Sequence, residues 1–129
     1  MSLTLLPKPG LPASPMTPVA IMEKIRQMLV EFVKTEVASR LDLQALCLND
    51  DQLDELADYL GIGEVQFEFN TTHRISIRET AYRGVWWLIG YDDNRQILSE
   101  CIEVAQIPEV LLTPLDDIAG SVNRIADFA

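Results

Sequence analysis

The stretch Glu64-Val65-Gln66-Phe67-Glu68-Phe69-Asn70, continued after Thr71-Thr72-His73 by Arg74-Ile75-Ser76-Ile77-Arg78, alternates apolar and polar residues with period two. Successive side chains of a strand point to opposite faces, so the alternation predicts two half-buried strands joined as an antiparallel hairpin. With Phe67 opposite Ile75 and Val65 opposite Ile77, the other face sets Glu68 against Arg74 and Glu64 against Arg78, so one register suits both faces. A displacement of two residues keeps the faces but gives up that charge pairing.

Toward the C-terminus, Val85-Trp86-Trp87-Leu88-Ile89-Gly90-Tyr91 is apolar on both alternating faces, the pattern of a central strand covered on both sides. Asp92-Asp93-Asn94 supplies a turn, and Gln96 to Ala105 returns as the next strand, with Cys101 opposite Trp86 in one register. Beyond Pro108, Thr113-Pro114 has the form of an N-cap followed by proline at the first helical position. Leu115, Ile118, Val122 and Ile125 then line a final helix, weakened by Gly120.

Toward the N-terminus the period is that of a helix. Thr17-Pro18 opens a core-facing helix of about twenty residues, striped by Ile21, Ile25, Met28 and Phe32 and flanked by Met22, Leu29, Val33 and Val37. Asn49 with Gln52 three positions on forms a capping box for a second helix, in which Leu53, Leu56, Ala57 and Leu60 face inward and Gly61 takes the C′ position. Leu41-Asp42-Leu43 reads equally as a short strand or a turn. The expected fold is α+β, an antiparallel sheet of about four strands with helices packed on it, in the order α-α-β-β-β-β-α.

The 129 residues, 48% of them hydrophobic, suffice for one core without disulfide or metal staples. Five prolines, Pro7, Pro9, Pro12, Pro15 and Pro18, fall in the first eighteen residues, so residues 1–17 read as a proline-rich arm, either an untethered tail or an extended segment lying over the domain, and residues 18–129 as a single α+β domain. Ten Lys and Arg against twenty Asp and Glu give a net charge of −10, which repels phosphate backbones and anionic lipid surfaces. Nucleic acid and membrane insertion are therefore not expected, basic peptides are the favoured partners, and the absence of an apolar span or signal-like start points to a cytoplasmic protein.

The residues that carry chemistry elsewhere are placed here without their usual context. His73 lies at a hairpin turn with no nucleophile in a strained or glycine-rich elbow to serve. Cys47 and Cys101 share no ligand spacing with each other or with His73, and with no activating neighbour in sequence both are expected to react slowly. Gly61-Ile62-Gly63 leaves a helix and enters a strand, the reverse of the order that aims amides at a phosphate. No catalytic, cofactor-binding or metal-binding residue is assigned. The most charged feature is the second helix, where Asp50, Asp54 and Asp58 form an i, i+4 row beside Asp51 and Glu55. That face is either solubilising or a docking surface for a basic segment, and Trp86 joins it as a candidate partner residue.

Three segments in order, Leu60-Gly61-Ile62-Gly63-Glu64-Val65, then Ile77-Arg78-Glu79-Thr80 leading to Gly84-Val85-Trp86-Trp87, then Glu103-Val104-Ala105-Gln106-Ile107-Pro108-Glu109-Val110, resemble the C-terminal region of the HupH/HyaF hydrogenase expression proteins. The resemblance runs from about Leu41 to Leu115. It implies a non-enzymatic, chaperone-like accessory protein in [NiFe] hydrogenase maturation. Its implied partners are the small-subunit precursor, carrying a twin-arginine export signal, or other maturation proteins. Two other readings stand beside it: an acidic chaperone of the type III secretion kind, whose strands a helix interrupts, and a cysteine-dependent redox or iron–sulfur handling protein.

Overall fold

The computed structural model describes residues 16–70 and 73–128. Most of the proline-rich arm, with its alternative readings, lies outside them. Helix α1, Pro18–Thr35, starts as its sequence dictates: the Thr17 hydroxyl accepts from the Ala20 amide at 3.1 Å, with proline at the first helical position. Its inward stripe is Pro18, Ile21, Ile25 and Met28. Phe32, with Met22 and Leu29, packs half-buried against the same core, whereas Val33 is exposed and Glu36 ends the helix in the left-handed region before Val37.

Strand β1, Ser39–Asp42, resolves the open segment in favour of a strand, and makes the sheet five-stranded rather than four-stranded. It pairs with the last strand, setting Leu41 opposite Ile102. After a 3₁₀ turn at Gln44–Leu46 comes α2, Asp50–Leu60, held by the expected capping box between Asn49 and Gln52. Gly61 closes α2 at φ 69, and Gly63 runs so close to the Thr80 carbonyl that a Cβ there would collide with it.

Strands β2 (Gln66–Asn70), β3 (Arg74–Glu79), β4 (Val85–Tyr91) and β5 (Ile97–Val104) follow, and the antiparallel sheet runs β1-β5-β4-β3-β2 with β4 at its centre. The β2–β3 register is the displaced one: Phe67 faces Ile77 and Phe69 faces Ile75. Part of the charge pairing survives all the same, since Arg74 reaches diagonally to Glu68 at 2.7 Å. Arg78 loses Glu64 as its opposite, stands across from Gln66, and lies over the Trp87 ring. The β4–β5 register also differs from expectation, with Cys101 opposite Leu88 and Trp86 opposite Glu103. A bulge leaves Leu98 between the Tyr91–Ile97 and Gly90–Ser99 pairs, and the turn headed by Asp92, whose carboxylate accepts from the Asn94 and Gln96 amides, sets the remaining offset.

The sheet separates two cores. On one face α1 and α2 cover Val85, Trp87, Ile102 and Val104, burying Ile21, Leu56 and Leu60 completely or nearly so. Each such side chain contributes roughly 1.5–3 kcal/mol relative to exposure. On the other face Ile77, Trp86 and Leu88 form a smaller cluster with Val65, Phe69 and Leu111. The last helix, α3, spans Leu115–Ala126 after a 3₁₀ turn at Glu109–Leu111 and buries no residue. Its first turn is not capped by Thr113 as the sequence suggests: Pro114 occupies the cap position and no side chain bonds there.

Candidate partner-binding cleft

Helix α2 lies over the sheet with Leu56 and Leu60 buried, which turns Asp50, Asp51, Asp54, Glu55 and Asp58 outward, all five exposed. They do not act alike. Asp50 and Asp54 line a cleft of about 520 Å³ between α2 and the sheet, whereas Asp51, Glu55 and Asp58 lie outside it. Glu55 accepts a 2.6 Å hydrogen bond from the Tyr59 hydroxyl, which holds that phenol above its ordinary pKa.

The floor of the cleft is built by β3, β4 and β5. Trp87 and Arg78 are cross-strand partners on this face, the guanidinium 5.6 Å from the ring centroid. The Trp87 indole N–H donates to Glu100 Oε2 at 2.7 Å, which satisfies a carboxylate that is otherwise nearly buried. Arg78 has less. Its Nε is the buried side-chain polar atom that lacks a hydrogen-bond partner among the described residues, and no described carboxylate comes within ion-pair distance of its guanidinium. Leu53, Ala57, Ile89 and Ile97 supply the apolar walls. A second hollow of about 280 Å³ adjoins it, shares Leu53, Ile97 and Glu100, and extends to Cys47.

Trp86 belongs elsewhere. It is 5% exposed on the opposite face of the sheet, with its indole N–H donated to the Ala105 carbonyl at 3.0 Å, so it is a core residue and not part of the acidic surface. The reason is the pleat: neighbours on β4 face opposite ways, and the outer face of this strand is covered too. Sequence reasoning passed over Arg78, Trp87 and Glu100 as a group. The signal available was an acid placed two residues before Ile102 in a return strand, at a position of the helix-covered face.

The remaining candidates disperse. His73 stands 3.9 Å from Asp93 at the sheet end, Cys47 is exposed at a left-handed position, and Cys101 is half-buried with its thiol pKa raised by that burial. Among the described residues no three His, Cys, Asp or Glu side chains gather as a metal site, and no helix is long and apolar enough to cross a membrane. A buried acid the sequence did not mark, Glu103, ties the sheet edge together by accepting from Arg40 Nε at 3.0 Å and the Glu109 amide at 2.9 Å.

Comparison with known proteins returns one family. The model for the HupH hydrogenase expression protein, C-terminal conserved region, matches residues 16–129. Among curated relatives, the hydrogenase expression/formation protein HupH of Rhizobium leguminosarum bv. viciae is 23% identical over 117 residues, covering 91% of this chain and 42% of its own length. HoxQ of Azotobacter vinelandii, described in the same terms, is 26% identical over 106 residues, 82% of this chain and 37% of its own. The chain thus spans about two fifths of the length of these relatives. The solved structure of the hydrogenase expression protein HupH from Thiobacillus denitrificans ATCC 25259 is 33% identical, superposes with a TM-score of 0.78, and is matched over 85% of this chain and 95% of that one.

Proposed function

The chain belongs to the HupH hydrogenase expression family through its C-terminal conserved region, and from that premise we propose that it serves [NiFe] hydrogenase maturation in the cytoplasm as a non-enzymatic binding protein. Its cargo in this reading is the hydrogenase small-subunit precursor, held until export and assembly. The observation that carries the proposal is the family match across residues 16–129, together with relatives that bear the name of hydrogenase expression/formation proteins.

The acidic face of α2 supports a holding role. Asp50, Asp51, Asp54, Glu55 and Asp58 present a concentrated negative field on a helix whose sequence holds no lysine or arginine. Such a field raises the encounter rate with a basic segment more than it raises final affinity. A twin-arginine export signal is a segment of that kind. The four strands β2–β5 succeed one another with no helix between them, which weighs against the secretion-chaperone reading.

The test is capture from hydrogenase-producing cells with the tagged full chain. The expected outcome is retention of the unprocessed small subunit and not of the mature one. Recovery of neither form, under conditions where both are present, overturns the proposal.

A further inference from the structure

We propose that the cleft between α2 and the sheet recognises an extended segment of a partner polypeptide through one cationic side chain and one main-chain carbonyl, with Arg78 as the donor that reads the carbonyl. The inference rests on the binding-protein reading above and assigns it a place. Three carboxylates, Asp50, Asp54 and Glu100, line the cleft against a single guanidinium, and that guanidinium pairs with none of them. A cleft that keeps its own opposite charges apart offers both to a ligand. A peptide bearing a lysine or arginine brings the complement: a cation for Asp50 and Asp54, an aliphatic stem for Leu53 and Ile97, and an acceptor for Arg78.

The unpartnered Arg78 Nε adds direction to this. A buried donor left without an acceptor is costly to the folded chain, and an arriving carbonyl that draws the guanidinium outward relieves that cost. Stacking on Trp87 keeps the guanidinium plane in place meanwhile. Charge complementarity selects the occupant, since an acidic or neutral segment meets the same carboxylates without compensation.

The two indoles provide the assay. Trp87 N–H bonds to Glu100 in the cleft, and Trp86 N–H bonds to Ala105 on the opposite face, so in the full chain labelled with nitrogen-15 one resonance reports binding and the other the integrity of the fold. The probe is an acetylated, amidated pentapeptide with a central arginine among alanines, compared with the same peptide carrying norleucine instead. The arginine peptide should move the Trp87 resonance saturably and leave Trp86 in place, while norleucine should weaken binding at least about tenfold, the lower end of the worth of one charge-assisted hydrogen bond. Arg78→Gln, with the Trp86 resonance unchanged, should also weaken binding about fivefold; tighter binding, which removal of a repelling cation alone would give, overturns the role of Arg78. Equal response to both peptides, or none, overturns the cleft. A Trp87 resonance that moves with protein concentration alone assigns the cleft to a second copy, and one that moves on Lys8→Gln assigns it to the chain's own N-terminal segment; either result also overturns the proposal. Loss of precursor capture with the peptide titration intact sinks the hydrogenase reading and not this one.

Discussion

Helices α1 and α3 both begin at a Thr-Pro pair, Thr17-Pro18 and Thr113-Pro114, and both carry an apolar stripe at helical spacing. In α1 the stripe is core: Ile21, Ile25 and Met28 are 0%, 2% and 7% exposed. In α3 the corresponding Leu115, Ile118, Val122 and Ile125 stay 49–82% exposed. Amphipathic periodicity tells which residues share a face and does not tell whether anything covers it. What covers α1 is the sheet face that also receives α2, whereas the opposite face is closed by its own smaller cluster with Leu111, before the chain reaches α3. The first helix owes its stability to packing; the last depends on local terms, with Asp116 and Asp117 at its positive end and Arg124 at its negative end.

The largest test of this contrast lies in α1. Ile25→Ala removes a side chain packed among residues of α2 and the sheet, and should cost about 2–5 kcal/mol of unfolding free energy in a urea titration. A cost below about 1 kcal/mol would mean that α1 rests on the sheet as loosely as α3 is free of it.

Legibility followed the same division. Elements whose residues decide their own conformation were readable: the Thr17 and Asn49 caps, the period-two hairpin, the two-sided strand β4. Those settled by a distant partner were not. Strand β1 exists because β5 offers it an edge, with Leu41 set opposite Ile102, and nothing local separates that from a turn. The hairpin register turned on the preference of Phe69 for Ile75 over a direct charge pair, a choice hidden by the reach of Arg74, whose diagonal contact makes both registers acceptable to the charges. In the candidate cleft the acids of α2 stood out as a row, but Arg78, Trp87 and Glu100 come from three strands, and the registers that bring them together, Arg78 opposite Trp87 and Ile89 opposite Glu100, are set by pairing between strands and not by any local pattern.

A smaller effect separates the two helix starts. Thr17→Ala removes the hydroxyl that accepts from the Ala20 amide and should cost about 1 kcal/mol, while Thr113→Ala, at a residue that forms no cap bond, should leave the midpoint unmoved. Equal losses would show that α3 acquires in solution the cap that its sequence promises. Smaller again is Gly120→Ala. A Cβ at this position meets nothing within 4 Å, so the change acts on helix propensity alone, by roughly 0.5–1 kcal/mol. It should appear as added helical circular dichroism and slower amide exchange confined to α3, with the global transition in place.

The smallest expected effect is the most telling. Val122→Asp places a charge in the middle of the α3 stripe, at a residue 65% exposed. In a packed helix this substitution buries an unpaired carboxylate and costs several kcal/mol, enough to unfold a marginal domain. In an uncovered helix the carboxylate stays hydrated, and the cost is confined to a difference in helix propensity between two residues of similar rank. The unfolding free energy should therefore change by no more than about 0.5 kcal/mol, measured beside Ile25→Asp as the packed control. A loss of 2 kcal/mol or more at Val122, independent of protein concentration, would establish that α3 folds back onto its own domain. A loss that grows with protein concentration would instead place the stripe against another copy, because only association makes the apparent stability depend on concentration.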